Sequence, residues 1–144
     1  MQADYVSIFS ATAVSLFIGL LWYGPVMFGK VWFRVEGVNG KNRDEIRDYR
    51  RKVFSMCGFQ ALAILLQTYI LSVFIHTTQE IFSWSAVTLL LWFGLIVPTQ
   101  ISSAVWENVP RGMRFNKFFI NVTYYLVIML MSAYIMVHWS ELIK

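Results

Sequence analysis

Residues 53–79 read VFSMCGFQALAILLQTYILSVFIHTTQ, a run of 27 residues without a single Asp, Glu, Lys or Arg. Three further stretches of 23 to 26 residues, 5–29, 81–106 and 118–140, are equally free of these charges. A helix rises about 1.5 Å per residue, so about 20 apolar residues cross the hydrocarbon core of a bilayer, and each stretch fits one crossing. The sequence therefore predicts an all-α, polytopic membrane protein with four transmembrane helices.

The composition agrees with one integral membrane domain over the 144 residues. Hydrophobic residues make up 58% of the chain and charged residues 14%, and all 20 charged side chains lie outside the four stretches. Soluble domains carry about 25% charged residues, so this composition excludes a cytosolic enzyme, a secreted disulfide scaffold and a disordered tail. The expected helices span about 5–23, 53–75, 83–106 and 117–138.

The basic residues are distributed unevenly along the chain. Of the 12 Lys and Arg residues, eight lie in residues 30–52 and three in 111–117. These two connections share one side of an up-down-up-down bundle, which the positive-inside rule assigns to the cytoplasm. We expect a multi-pass protein of the cytoplasmic (inner) membrane with both termini outside. Tryptophan agrees, since five of the six fall near the ends of the stretches and only Trp92 is central.

The expected partner of the basic loops is the lipid bilayer. The net charge of +4 comes from short segments next to the membrane, which face anionic lipid headgroups. This explanation of the positive charge leaves no need for nucleic-acid binding, and we expect none.

The segment between the first two membrane helices, residues 26–40, has a helical pattern of its own. Phe28 and Trp32 stand one turn apart, and two basic residues have the same spacing. This predicts a short amphipathic segment in the cytoplasmic interface, with the aromatic rings inward. Asn42 and Glu45 then have capping-box spacing, so a helix begun there would run into the second membrane helix.

The first helix carries small residues at every fourth position: Ser7, Ala11, Ser15 and Gly19. Such a stripe lets a second helix approach closely, whether that helix belongs to this chain or to another copy. Because four short helices also bury little surface, the sequence favours a homo-oligomer.

The third helix contains Pro98. Proline has no N–H to donate, and its ring crowds the carbonyl of Gly94, four residues earlier. We therefore expect a kink in the middle of this helix.

Uncharged polar residues gather at one predicted depth. Gln60 lies about seven residues into the second helix and Gln100 about seven residues before Glu107, where the third helix ends. Asn121 and Tyr125 lie four and eight residues into the fourth helix. At about 1.5 Å per residue, these side chains form a layer roughly 6–12 Å deep in the cytoplasmic half.

Helical spacing adds Ser103 and Glu107, which share a face of the third helix with Gln100. A polar layer beside a proline kink is typical of a small-solute site, although such residues also hydrogen-bond neighbouring helices to hold bundles together. Glu107 could accept a proton or bind a cation, or pair with Arg111 or Arg114. We take six residues, called the polar layer below, as the candidate substrate-binding site: Gln60, Gln100, Ser103, Glu107, Asn121 and Tyr125.

Motifs for catalysis are absent. The sequence has no P-loop, no dinucleotide-binding glycine fingerprint, no Cys-x-x-Cys and no His-Glu-x-x-His. His76 with Glu80, and His138 with Glu141, have helical spacing at the outer side, but neither pair belongs to a recognised metal motif, and solvated helix ends explain them better than a metal site does. We expect no catalytic residue, no metal and no cofactor, and enzyme activity is disfavoured.

Three stretches resemble a known family. They are Trp22–Trp32, with the sequence WYGPVMFGKVW; Gly94–Glu107, which contains Pro98 and Gln100; and Phe118–Leu126, with the sequence FFINVTYYL. In length, helix number and order of these landmarks, nearly the whole chain is similar to the small four-helix membrane proteins of bacteria and fungi catalogued as domain of unknown function 1761. The resemblance implies an integral four-helix membrane protein and carries no activity, cofactor or catalytic residue with it.

These observations leave three functions open. The first is a non-enzymatic carrier or channel-like protein whose site is the polar layer. The second is an accessory or assembly subunit of a larger membrane complex. The third and weakest is a membrane enzyme acting on lipid or quinone, for which Glu107 would be the acid or base.

Overall fold

The computed structural model describes residues 5–24, 27–35, 43–107 and 111–142. Within these ranges the chain is helical with no strand, and four helices are long and apolar enough to cross a membrane, which confirms the predicted fold class. The elements are α1 (Tyr5–Trp22), α2 (Gly29–Val35), α3 (Arg43–Thr78), α4 (Trp84–Leu91), a π-helical turn (Trp92–Ile96), α5 (Val97–Trp106), α6 (Arg111–Val137) and α7 (Trp139–Leu142).

Helices α3 and α6 begin before the charge-free stretches that they contain. Helix α3 starts at Arg43 and runs for 36 residues, so the charged segment after residue 42 continues into the membrane span without a break. Asn42, the expected cap of this helix, lies outside the described residues, as do residues 26 and 36–40 of the amphipathic segment. The described part of that segment forms α2.

Helix α6 is the centre of the bundle. It contacts α1, α2, α3, α4 and α5, and half of its membrane window is buried, against 11% for the span Trp84–Trp106. One end of the bundle carries Lys30, Arg47 and Arg114, and we call it the basic end. The apolar core divides accordingly into a cluster around Leu71 and Met129 and a second one at the basic end.

The small-residue stripe of α1 faces inward. Ser7, Ala11 and Ser15 are almost completely buried. A Cβ atom at Gly19 would lie 2.8 Å from the Tyr124 hydroxyl oxygen of α6, so glycine leaves the space that this tyrosine occupies. The neighbour of the stripe is therefore this chain's own bundle, and the stripe gives no support to self-association.

The third membrane span is interrupted before its proline. The expected irregularity takes the form of one π-helical turn, Trp92–Ile96, in which the Val97 amide donates to the Trp92 carbonyl five residues earlier. Pro98 cannot donate to a carbonyl of the preceding turn, and the wider turn accommodates its ring. The Thr99 hydroxyl donates to the Leu95 carbonyl and so satisfies one of the carbonyls near the proline.

The turn from α1 to α2 depends on a close backbone approach. The Gly29 amide donates to the Gly24 carbonyl at 2.9 Å, and Phe28 donates to the Trp22 carbonyl at 3.0 Å. A Cβ atom at Gly29 would lie 2.4 Å from the Gly24 oxygen, closer than two non-bonded atoms can approach. Glycine at this position lets α2 fold back towards α6.

We predict that Gly29→Ala destabilises the protein by about 1–3 kcal/mol, because the added methyl group forces the backbones apart. Unfolding of the purified protein in mixed micelles, followed by circular dichroism against increasing SDS, measures the change. Gly58→Ala is the matched control, since nothing lies within 4 Å of its added Cβ atom. Equal stability of the Gly29→Ala variant and the wild type would show that the tight turn is not needed.

Candidate functional site: a polar layer at the basic end

The amide of Asn121 joins three segments of the chain. Its oxygen accepts a hydrogen bond from the Tyr23 hydroxyl at 3.0 Å, and its nitrogen donates to the Gln100 side-chain oxygen at 3.4 Å. Tyr23 directly follows α1, Asn121 lies in α6 and Gln100 lies in α5. Two of the expected site residues are thus in contact, and a tyrosine that was not expected there completes the chain of hydrogen bonds.

A second connection brings in α3. The Gln60 side chain hydrogen-bonds the hydroxyl of Tyr124, a residue only 3% exposed, while the rest of Gln60 is exposed. The Tyr124 ring packs edge-on against Tyr23 at 5.1 Å between centroids, and the tilted ring of Tyr125 lies 5.4 Å from it. Tyr124 therefore connects Gln60 and Tyr125 to Tyr23, the hydrogen-bond partner of Asn121.

The segment that joins α1 to α2 packs beside this site. The Trp22 indole nitrogen donates to the Ile120 carbonyl at 3.1 Å, and its ring lies 5.0 Å from Phe28. Tyr23 meets Trp32 of α2 edge-on at 4.7 Å. The landmark residues 22–32 are explained by this arrangement, because their aromatic rings pack together and fasten the end of α1 to the start of the buried part of α6.

Glu107 pairs with a lysine that the sequence had not indicated. Its carboxylate forms an ion pair with the Lys117 ammonium group, which also lies 5.2 Å from the centre of the Trp32 ring. The side chains of the pair are 29% and 16% exposed, so the charges lie at the boundary of the apolar region. Arg114 donates to the Val105 carbonyl at 3.5 Å, and the side chain of Arg111 lies outside the described residues.

Ser103 is the least integrated member of the polar layer. It is exposed, and no hydrogen bond within the described ranges joins it to the other five residues. Gln100, Asn121 and Tyr125 are partly exposed, so the polar layer reaches the surface of the single chain.

Three residues of the site were not predicted from the sequence: Tyr23, Tyr124 and Lys117. A signal for the tyrosines was available, since a buried phenol needs a hydrogen-bond partner and both residues lie within a few positions of the expected depth. No comparable signal marked Lys117, which stood among the other basic residues of its connection.

The chemistry of this site is that of hydrogen bonding. Amide and phenol groups both donate and accept, and the ion pair between Glu107 and Lys117 lies at the border of the site. The described residues contain no group of three His, Cys, Asp or Glu side chains that could hold a metal ion. At the opposite end, the His138 ring stacks on Tyr134 at 4.5 Å between centroids.

We predict that Tyr23→Phe lowers the free energy of unfolding by about 1 kcal/mol, the usual value of one hydrogen bond. The same SDS titration measures this loss. Tyr5→Phe removes a hydroxyl from a side chain that is 67% exposed and should leave stability unchanged. Equal effects of the two substitutions would argue against a specific bond to Asn121.

Comparison with known proteins gives one match. A family model described as "Protein of unknown function (DUF1761)" matches residues 6–137, which covers nearly all of the chain. No curated protein and no solved structure matches it. Each of the three landmark stretches contributes a residue to the hydrogen bonds around α6, namely Trp22, Gln100 and Asn121. The chain is a member of the DUF1761 family.

Proposed function

We propose that this protein is a non-enzymatic carrier or channel-like protein of the cytoplasmic membrane and that the polar layer is its solute site. The supporting observation is the network around Asn121, which collects hydrogen-bonding groups from α5, α6 and the end of α1 at one depth. Such groups are costly in hydrocarbon, where no water can satisfy them, so membrane proteins concentrate them at interfaces and pathways.

The exposure of the polar layer favours a site over a purely structural network. A layer that only held the bundle together would be buried, yet Gln60 is exposed and Gln100, Asn121 and Tyr125 are partly exposed. Helix α5 packs mainly on α6, and residues 55–60 of α3 are exposed as well. A solute could therefore reach these amides from the basic end.

We predict that Gln100→Leu abolishes transport, because it replaces the amide that bonds Asn121 with an apolar group and keeps a side chain of similar volume. Proteoliposomes would be tested with radiolabelled glycerol, rubidium and lactate as neutral, cationic and anionic probes. Wild-type protein should admit at least one probe faster than protein-free liposomes do, and Gln100→Leu should return that rate to background. Ser102→Ala, an exposed change in the same helix, should keep the wild-type rate.

Wild-type proteoliposomes that admit all three probes no faster than protein-free liposomes would overturn the proposal. A rate that survives Gln100→Leu unchanged would remove the polar layer from the transport path.

A second candidate is an accessory subunit, favoured by the low burial of the third span. Only 11% of Trp84–Trp106 is buried, and large apolar side chains such as Phe93 and Trp106 are exposed there. A second copy of this chain or a larger membrane protein could cover this face. Loss of a co-purifying chain in mild detergent on Phe93→Ala, with unchanged transport, would favour this function.

The proposed orientation places the basic end in the cytoplasm and both termini outside. We predict that, in a Cys57→Ser background, Ser140→Cys is labelled by a membrane-impermeant maleimide in intact cells. Arg47→Cys should react only after the membrane is broken. Both positions are exposed, so accessibility differs only by the side of the membrane. The reverse pattern would invert the topology.

A further inference from the structure

A second polar feature lies deeper in the bundle, where α1, α3 and α6 meet. The side chains of these helices leave a narrow gap between them, which we call the central crevice. Ile64, Leu71, Ile128 and Met129 form its apolar walls. Its polar lining comes from all three helices: Ser15, Gln67, Thr68 and Ser132.

Gln67 is the residue whose presence demands an explanation. It lies 12 residues after Ser55 in the membrane span Ser55–Thr78, about 18 Å from that end and so near the middle of the bilayer. No hydrogen bond to its amide exists among the described residues, although the side chain is partly buried and lines the central crevice. An amide without a partner in hydrocarbon costs about 2–7 kcal/mol, so a molecule in the crevice would stabilise it.

The central crevice is closed in the observed packing. The hydroxyl groups of Ser15 and Ser132 hydrogen-bond each other at 2.9 Å and so join two of its walls. The gap between the walls is narrower than a water molecule, so entry of a solute requires α1 and α6 to separate slightly.

The central crevice continues the polar layer towards the other side of the membrane. On α3, Gln67 follows Gln60 by two turns on the same face; on α6, Ser132 follows Tyr124 by two turns. These steps are about 11–12 Å along each helix. Hydroxyl and amide groups are thus available at both depths, and none of the residues lining the central crevice carries a charge.

This arrangement determines which solutes fit. An ion in the middle of a bilayer needs a counter-charge or several coordinating oxygens, because the cost of removing its water is large. The central crevice offers hydroxyl groups and one free amide, which suit a molecule that itself donates and accepts hydrogen bonds.

We propose that the central crevice is a mid-membrane binding site for a small uncharged polyol or amide and that Gln67 is its principal hydrogen-bonding group. The inference rests on the proposed transport function and names the class of solute. The solute passes from the polar layer to Gln67 and breaks the bond between Ser15 and Ser132 as it enters.

The test uses the full chain in proteoliposomes, with glycerol and urea as neutral probes and rubidium and lactate as charged ones. Wild-type protein should admit the neutral probes alone. Gln67→Leu should reduce glycerol entry by about tenfold, as expected when one hydrogen bond to a buried solute is removed. Gln67→Asn keeps an amide and should restore part of the rate, which distinguishes hydrogen bonding from packing.

Two controls keep the result interpretable. Gln79→Leu makes the same substitution at an exposed position after α3 and should transport like the wild type. Circular dichroism and gel filtration establish that each variant is folded before its rate is compared.

The possible failures are distinct. Entry of rubidium or lactate alone, or glycerol entry that is unchanged in Gln67→Leu, would overturn the inference about the central crevice and leave the transport function standing. No entry of any probe with wild-type protein would overturn both.

Discussion

The close approach of α1 and α6 is the contact on which the rest of the bundle depends. In lipid, helices gain little from the hydrophobic effect, so packing and hydrogen bonds between helices hold them together. Here small residues of α1 let the helices touch, and the bond between Ser15 and Ser132 and that from Trp22 to the Ile120 carbonyl join them at two depths. With α1 fixed on one side of α6, α3 packs against both helices and the third span packs on α6.

The third span is attached to this pair in a different way. Its π-helical turn begins at Trp92, whose indole nitrogen donates to the Val122 carbonyl of α6 at 2.9 Å. This explains why one tryptophan stands in the middle of a membrane helix while the others lie near the ends. The hydrogen bond fastens the span at its irregular turn, and beyond it the bond from Asn121 to Gln100 fastens α5. Most other residues of the third span are exposed.

The depth of a side chain in the membrane could be predicted from the sequence, because a helix rises by a constant amount per residue. That rule placed Gln100 and Asn121 at the same level, and they are in contact. The direction of a side chain was harder to predict, because the face of α5 that packs on α6 is determined by contacts between residues far apart in the chain. Ser103 was assigned to the site by helical spacing alone and lies exposed, while Tyr23 reaches the site because a tight turn follows α1. Such turns depend on contacts between segments far apart in the chain.

The length of α3 has a mechanical consequence. Its hydrogen-bonded backbone runs without interruption from Arg43 to Thr78, so the exposed charged residues at its start and Gln67 belong to the same rod. The distance between Arg43 and Gln67 is about 36 Å along the axis. A movement of Asp44 or Arg47 would therefore be transmitted along one continuous backbone towards Gln67. The contact of α3 with α1 and α6 is the point about which such a movement would turn the helix.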